Sequence, residues 1–189
     1  MKGGHNLNDP ALVRSLTTLA KDAVAWLVSL GADLNTVGRA GGAKYPRAHR
    51  PTDGSAIGPE VIRVLWKAAK DRKMDVRTQT RATEIIMKDG RVAGVKATTK
   101  DGKVYTIDAK AVVLATGGFG ANQDMLVKYQ PKLKGYATTN QPGATGDGII
   151  LAEHAGAALV DMKQIQAHPT AAPDGTLISE SVRGDGGIL

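Results

Sequence analysis

The chain has 189 residues, 42% hydrophobic and 23% charged, which is enough for a domain with a hydrophobic core and argues against wholesale disorder. Its net charge is +7, yet the basic residues form no block and aromatic residues make up only 4%, so we expect a small anionic ligand and no nucleic acid. The sequence has no cysteine, which excludes disulfides and thiolate metal sites. It has no apolar run near the ~20 residues that cross a bilayer, so no membrane span is predicted.

The first predicted element is an amphipathic helix. Asn8-Asp9-Pro10 is typical of a helix start, because an Asx side chain caps the first turn and proline fits the first helical position. Apolar residues then recur every three or four positions until Gly31, which predicts a helix with one buried face. These residues are Leu12, Leu16, Leu19, Ala23, Leu27 and Leu30.

A long loop and a second helix are predicted next. Residues 37–58 contain Gly41-Gly42, Tyr45-Pro46 and His49-Arg50-Pro51, and an ordered loop of this length often lines a ligand. The helical period then returns, which predicts a helix over about residues 59–72.

The hydrophobic period changes from 3.6 to 2 after this helix, which indicates strands. We predict a short strand at residues 75–78 and three longer ones at 82–88, 91–99 and 103–108. Asp89-Gly90 is a strong hairpin signal, and Lys100-Asp101-Gly102 forms a second turn. The last three strands are therefore expected to form an antiparallel meander.

A continuous apolar run at residues 111–115 predicts a strand buried on both faces of a parallel sheet. It leads directly into Thr116-Gly117-Gly118. Ligands of open α/β sheets lie beyond the carboxyl ends of strands, and glycines there let backbone N–H groups approach a phosphate or a ribityl chain. An ordinary strand-to-helix turn is the alternative, and the preceding meander makes the ligand interpretation more specific.

Two short helices are predicted beyond this turn, at residues 123–129 and 147–155. The second opens with Thr145-Gly146-Asp147-Gly148. One interpretation is a simple helix cap. The other is a ligand site, in which the free N–H groups of the helix start bind a polar group and the aspartate accepts from hydroxyls.

The last candidate site combines His168-Pro169-Thr170 with Ser179-Glu180-Ser181-Val182-Arg183-Gly184. A loop histidine and a weak surface ion pair are the ordinary interpretation. Together, however, these segments offer an imidazole, a hydroxyl, a carboxylate and a guanidinium, a set that can bind a carboxylate and relay a proton.

These motifs, in this order, resemble a known family. The sequence resembles the flavocytochrome-type fumarate reductases, which belong to the fumarate reductase and succinate dehydrogenase flavoprotein family. The motifs that carry this resemblance are the meander followed by ATGGF, then TGDG, QAHPT and ISESVRG. MKGGHNLNDPALV, GADLNTVGRAGG and RAHRPTDG resemble FAD-domain segments of the same family, so nearly the whole chain is covered. The resemblance implies an α/β fold: a partial Rossmann-like FAD-binding domain with a β-meander crossover at residues 1–164, and the start of a capping domain at 165–189.

The resemblance also implies a cofactor site for FAD. Arg81 and Ala82 would lie beside the adenine, and Asp147 would contact the cofactor at the helix start. Three residues of the glycine turn would lie near the FAD backbone: Thr116, Gly117 and Gly118. No metal site is expected.

The reaction that the resemblance implies is reduction of the double bond of fumarate to succinate, or of a similar unsaturated carboxylate, by hydride transfer from flavin N5. His168, Ser179 and Glu180 would bind the dicarboxylate substrate. Glu180 and Arg183 would form the relay that reprotonates a catalytic arginine. Relatives that act on urocanate carry a tyrosine at the position of His168, so the histidine favours fumarate.

Some parts of the family pattern are not found in this sequence. The GxGxxG unit and the catalytic arginine would lie outside it, as would the electron donor, which is a haem or FMN domain or a separate protein. We therefore expect an internal fragment of a bacterial enzyme, periplasmic or cytoplasmic, that binds FAD weakly and is inactive alone. A non-catalytic binding module derived from such a flavoprotein remains the alternative.

Overall fold

The computed structural model describes residues 4–41, 43–168, 170–172, 176–178, 182 and 186–187. The chain divides into two compact units. One comprises the described residues of Met1–Val76 and Ser179–Leu189, and the other those of Arg77–Ile178. No helix in the described part of the chain is both long and apolar enough to cross a membrane.

The first unit begins with helix α1, Pro10–Ser29. The Asp9 carboxylate accepts hydrogen bonds from the backbone N–H groups of Ala11 and Leu12, so the predicted cap is present. Gly31 follows the helix with φ 91°, a left-handed conformation that suits glycine. The predicted start and end of this helix are therefore confirmed.

The buried face predicted for α1 is present only at its C-terminal end. Leu27 and Leu30 pack against the buried cluster of Ala32, Leu34 and Val64. The three leucines nearer the start of the helix are exposed: Leu12, Leu16 and Leu19. That part of the prediction was wrong, because periodicity shows which face is apolar but not whether another element covers it.

The predicted long loop contains a small antiparallel sheet. Strand β1, Thr36–Gly38, pairs with strand β2, Ala48–Arg50, and places Val37 opposite His49. Helix α2 follows at Ile57–Asp71, two residues earlier than predicted. Its Val64 side chain is only 1% exposed and forms the centre of the small core of this unit.

The second unit contains the predicted meander. Strands β3, Thr80–Lys88, β4, Arg91–Thr99, and β5, Val104–Asp108, pair antiparallel in chain order. Asp89 and Gly90 both have positive φ, as the tight hairpin turn requires. The short strand predicted at residues 75–78 was wrong, since four residues without a partner do not form a ladder.

The buried parallel strand predicted at residues 111–115 was also wrong. This segment belongs to no strand, and Val113 is 89% exposed. The described sheets are both antiparallel, and none of their strands pairs with it. An apolar run satisfies the side-chain requirement of a buried strand, but the ladder also needs neighbouring strands for its backbone groups.

The remaining helices agree with the predictions. Helix α3 covers Gln123–Tyr129, a short 3-10 turn follows at Pro131–Leu133, and helix α4 covers Asp147–His154. Their buried side chains are few, namely Leu126 in α3 and Leu151 in α4. The other buried apolar residues described in this unit are Ala97 in β4 and Ala144 before α4, so its apolar core is thin.

Candidate cofactor and substrate site

A groove of about 1020 Å³ lies between the meander and the start of α4. This volume is at the upper end of the ~300–1,000 Å³ typical of small-molecule clefts. Four residues predicted to contact a cofactor line it: Arg81, Ala82, Thr116 and Asp147. Most of the other lining residues are threonines, so the groove offers many hydroxyl groups to a polar ligand.

Arg81 and Asp147 form a two-point ion pair at this groove. Arg81 Nε donates to Asp147 Oδ2 at 2.8 Å, and Nη2 donates to Oδ1 at 3.1 Å. The Thr145 hydroxyl also donates to Oδ1, at 2.8 Å. These bonds, first that from Arg81, lower the pKa of Asp147 below its ordinary value, so the carboxylate is ionised at neutral pH.

The start of α4 is shaped by two glycines. Gly146 is the N-cap residue with φ 77°, and it has no side chain to accept from the helix N–H groups. Gly148, one residue into the helix, lies so close to Thr116 that any Cβ would overlap that side chain. The glycines therefore allow Thr116 to lie against an uncapped helix start, where N–H groups favour an anionic or polar ligand.

The glycine turn that follows residue 116 is joined to the same region by backbone hydrogen bonds. The Gly146 N–H donates to the Gly118 carbonyl at 3.1 Å, and the Ala121 N–H donates to the Ala144 carbonyl at 2.9 Å. Gly117 has φ 74°, and nothing lies within 4 Å of where a Cβ would be on Gly117 or Gly118. Backbone at this turn is therefore open to approach by a ligand.

Asn122 is a positioning residue that the sequence reasoning missed. Its Oδ1 accepts from the Met125 N–H and caps α3, while its Nδ2 donates to the Thr145 carbonyl at 2.8 Å. One side chain thus fixes both the start of α3 and the turn that presents Asp147. An asparagine just before a predicted helix was the available signal, but its second partner is 23 residues away.

A second pocket, of about 380 Å³, brings the glycine turn next to His168. Gly118, Asn140 and His168 are among its lining residues. The Thr170 N–H donates to His168 Nδ1 at 3.2 Å, so Nδ1 accepts and the neutral ring carries its proton on Nε2. His168 can therefore offer an N–H donor, which is the group that binding a carboxylate requires.

Thr170, which donates to His168, is itself joined to Ile178 by two hydrogen bonds. The Thr170 hydroxyl donates to the Ile178 carbonyl at 3.1 Å, and the Ile178 N–H donates to the Thr170 carbonyl at 3.1 Å. The other predicted substrate and relay residues lie outside the described residues: Ser179, Glu180 and Arg183.

The antiparallel meander, the open glycine turn and the polar groove at a helix start define an α/β protein with a site for a polar cofactor. The chain belongs to the FAD binding domain family, whose model matches residues 1–189. This family and its cofactor agree with the chemistry of the groove, which offers threonine hydroxyls and a carboxylate.

Individual relatives are fumarate reductases. The chain is 49% identical over 191 residues to the fumarate reductase (cytochrome) of Shewanella frigidimarina. This match covers 100% of this chain and 34% of the relative. It is 46% identical to the NADH:fumarate oxidoreductase of Klebsiella pneumoniae, over 100% of this chain and 20% of the relative. The chain thus spans about a third or less of the length of these relatives.

A solved structure supports the same assignment. The open conformation of a flavocytochrome c3 fumarate reductase matches 97% of this chain and 33% of its own, with a TM-score of 0.89 at 45% identity. These matches confirm the expected α/β FAD-binding fold, the FAD cofactor and the resemblance to fumarate reductase flavoproteins.

Proposed function

We propose that this chain supplies part of the FAD site and part of the substrate site of a reductase that converts fumarate to succinate or reduces a similar unsaturated carboxylate. The observation that carries the proposal is the shared pocket of about 380 Å³. Gly118, which the family resemblance assigns to the cofactor, and His168, which it assigns to the substrate, both line that pocket. Relatives named as fumarate reductases, at 46–49% identity, favour this substrate class.

The groove residues suit FAD in their chemistry. Asp147 and the neighbouring threonines can bond the hydroxyls of a ribose or ribityl group. The open backbone at Gly117 and Gly118 allows close approach of a phosphate or a polyol. In this proposal Arg81 and Ala82 lie toward the adenine end, and Thr116, Gly117, Gly118 and Asp147 toward the rest of the cofactor.

The reducing chemistry is supplied by FAD, which when bound can deliver a hydride to an activated carbon–carbon double bond. His168 would donate an N–H to one carboxylate of the substrate and so fix its orientation. Ser179 and Glu180 would complete this contact, and Glu180 with Arg183 would move a proton toward the site. The division into an FAD-binding part at residues 1–164 and a capping part from 165 remains a prediction.

The proposed partners are a small dicarboxylate and an electron donor. Two relatives differ in the donor that their names state, a cytochrome in one and NADH in the other. The proposed donor is a haem domain, an FMN domain or a separate protein.

The test is fumarate-dependent oxidation of a chemically reduced dye by the natural polypeptide that carries this chain. His168→Ala should raise KM for fumarate about tenfold to a hundredfold, the range for losing a hydrogen bond to a charged group. His154→Ala, which alters an exposed histidine at the end of α4, is the matched control and should leave KM unchanged.

Two results would count against the proposal. One is an FAD-loaded natural polypeptide that oxidises no dye with fumarate or any related unsaturated acid, which would favour a non-catalytic binding module. The other is a KM that is indifferent to His168→Ala. We also predict that the 189-residue chain alone shows no turnover, and activity from it would contradict that expectation.

A further inference from the structure

The contact between Arg81 and Asp147 joins two elements that are far apart in the sequence. The two residues are separated by 66 positions, Arg81 in strand β3 and Asp147 at the first residue of α4. The guanidinium presents its Nε and Nη2 to the two carboxylate oxygens, the fork arrangement that gives arginine–carboxylate pairs their directional strength. Lysine cannot reproduce this arrangement.

The same contact fixes both oxygens of Asp147. Oδ2 accepts from Arg81, and Oδ1 accepts from both Arg81 and the Thr145 hydroxyl. An ionised carboxylate has about four acceptor positions and three are used here, so about one, on Oδ2, remains for a ligand in the groove. The Arg81 side chain is 72% exposed. Its ion pair with Asp147 therefore adds little to the stability of the fold, because exposed ion pairs contribute ~0–1 kcal/mol.

We propose that Arg81 is a positioning residue for FAD that acts through Asp147, by holding the Asp147 carboxylate in one orientation at the start of α4 for contact with cofactor hydroxyls. This inference rests on the proposed function of the groove and adds a role to Arg81 that differs from a direct contact with the adenine.

The electrostatics of Asp147 agree with this role. Its pKa lies below the ordinary value of 3.8, with the hydrogen bond from Arg81 as the largest cause and that from Thr145 as the next. The contact with Arg81 therefore favours the ionised, acceptor form of Asp147 over the protonated form.

The experiment is a titration of the natural polypeptide with FAD, monitored by flavin fluorescence. The same titration is made on four variants: Arg81→Gln, Asp147→Asn, the double variant with both of these substitutions, and Arg81→Lys. Each neutralising substitution should raise the Kd for FAD about tenfold to a hundredfold. The double variant should bind no more weakly than Asp147→Asn, because Arg81 then has nothing to position. Arg81→Lys should restore part of the affinity, since charge remains and the fork is lost.

Lys96→Ala provides the matched control. Lys96 is an exposed cation on the neighbouring strand β4, 3.7 Å from Glu84, and it does not line the groove. Its loss removes one positive charge from the same sheet and should leave the Kd unchanged. The thermal midpoint of each cofactor-free variant should stay close to that of the unsubstituted protein.

The titration distinguishes failure of the positioning role from failure of the proposed function. Failure of the unsubstituted natural polypeptide to bind FAD would overturn the proposed function itself. Binding by that protein, with losses from Arg81→Gln and Asp147→Asn that simply multiply in the double variant, would show that Arg81 contacts the cofactor independently and would overturn the positioning role. An unchanged Kd in Arg81→Gln would overturn it as well.

Discussion

Two carboxylates, one in each unit, are each held by an arginine, and their surroundings differ. Glu60 in α2 accepts from Arg63 through both of its oxygens, and Asp147 accepts from Arg81 in the same two-point manner. In both cases the arginine hydrogen bonds lower the carboxyl pKa, for Glu60 to about 2. The contacts alone do not distinguish one site from the other.

The neighbours of each pair show the difference. Glu60 Oε1 also accepts from the Asp33 N–H at 2.7 Å, and Arg63 donates to the Gly31 carbonyl at 3.0 Å. These bonds join α2 to the segment after α1, beside the buried cluster around Val64. The pair in the first unit therefore holds elements together.

The pair in the second unit faces a groove. Asp147 and Arg81 both line a cleft of about 1020 Å³ whose other residues are largely polar. An arginine–carboxylate contact with a lowered pKa therefore marks a candidate ligand site only where an open groove adjoins the contact. Where a packed core adjoins it, a structural role is the better interpretation.

The largest expected contrast comes from two matched glycines, each the second residue of its helix. In α4, a Cβ at Gly148 would overlap Thr116, whereas in α2 nothing lies within 4 Å of where a Cβ on Gly58 would be. Gly148→Ala should lower the free energy of unfolding by about 1–3 kcal/mol through overpacking. Gly58→Ala should raise it by about 0.4–1 kcal/mol by restricting the unfolded chain.

Urea denaturation of both variants measures this contrast. FAD titration should also show weaker binding for Gly148→Ala only, because Thr116 lines the groove. A Gly148→Ala variant as stable and as tight-binding as the unsubstituted protein would show that the close approach of Thr116 to α4 is not needed.

A smaller effect is expected at Glu60, and it depends on pH. The folded pKa of about 2 lies below the ordinary value of 4.5, so ionised Glu60 stabilises the fold fully above about pH 4.5. This contribution is lost as the pH falls from 4.5 toward 2. Glu60→Gln should therefore be less stable than the unsubstituted protein at pH 7, and the gap should narrow in that acidic window.

Chemical denaturation at pH 7, 4 and 2.5 is the measurement. Asp71→Asn breaks an exposed ion pair with Lys67 in the same helix and leaves Glu60 in place, so it is the matched control. It should retain the acidic dependence that Glu60 supplies. A stability gap for Glu60→Gln that stays constant over the window would refute the assignment of this pH dependence to Glu60.

The elements specified by local chemistry were predicted well from the sequence. Asp9-Pro10 set the start of α1, and Asp89-Gly90 set the hairpin whose second strand, Arg91–Thr99, has the predicted bounds. Both signals depend on residues within one turn. Their structures therefore follow from the sequence nearby.

The features that depend on distant neighbours were predicted poorly. Residues 111–115 have the apolar pattern of a buried strand but no described partner, and Leu12 and Leu16 in α1 are exposed for the same reason. The family resemblance assigned Arg81 and Asp147 separately to the cofactor. The two residues are 66 positions apart, so their hydrogen bond is a tertiary contact that no local sequence pattern predicts.

The most direct test of the central claim is the Kd for FAD of the natural polypeptide carrying either Asp147→Asn or Glu60→Gln. Both substitutions remove one negative charge that an arginine holds. The structure predicts a Kd raised about tenfold or more for Asp147→Asn and unchanged for Glu60→Gln. Equal effects of the two substitutions, or an effect of Glu60→Gln alone, would contradict the assignment of the groove at Asp147 as the cofactor site.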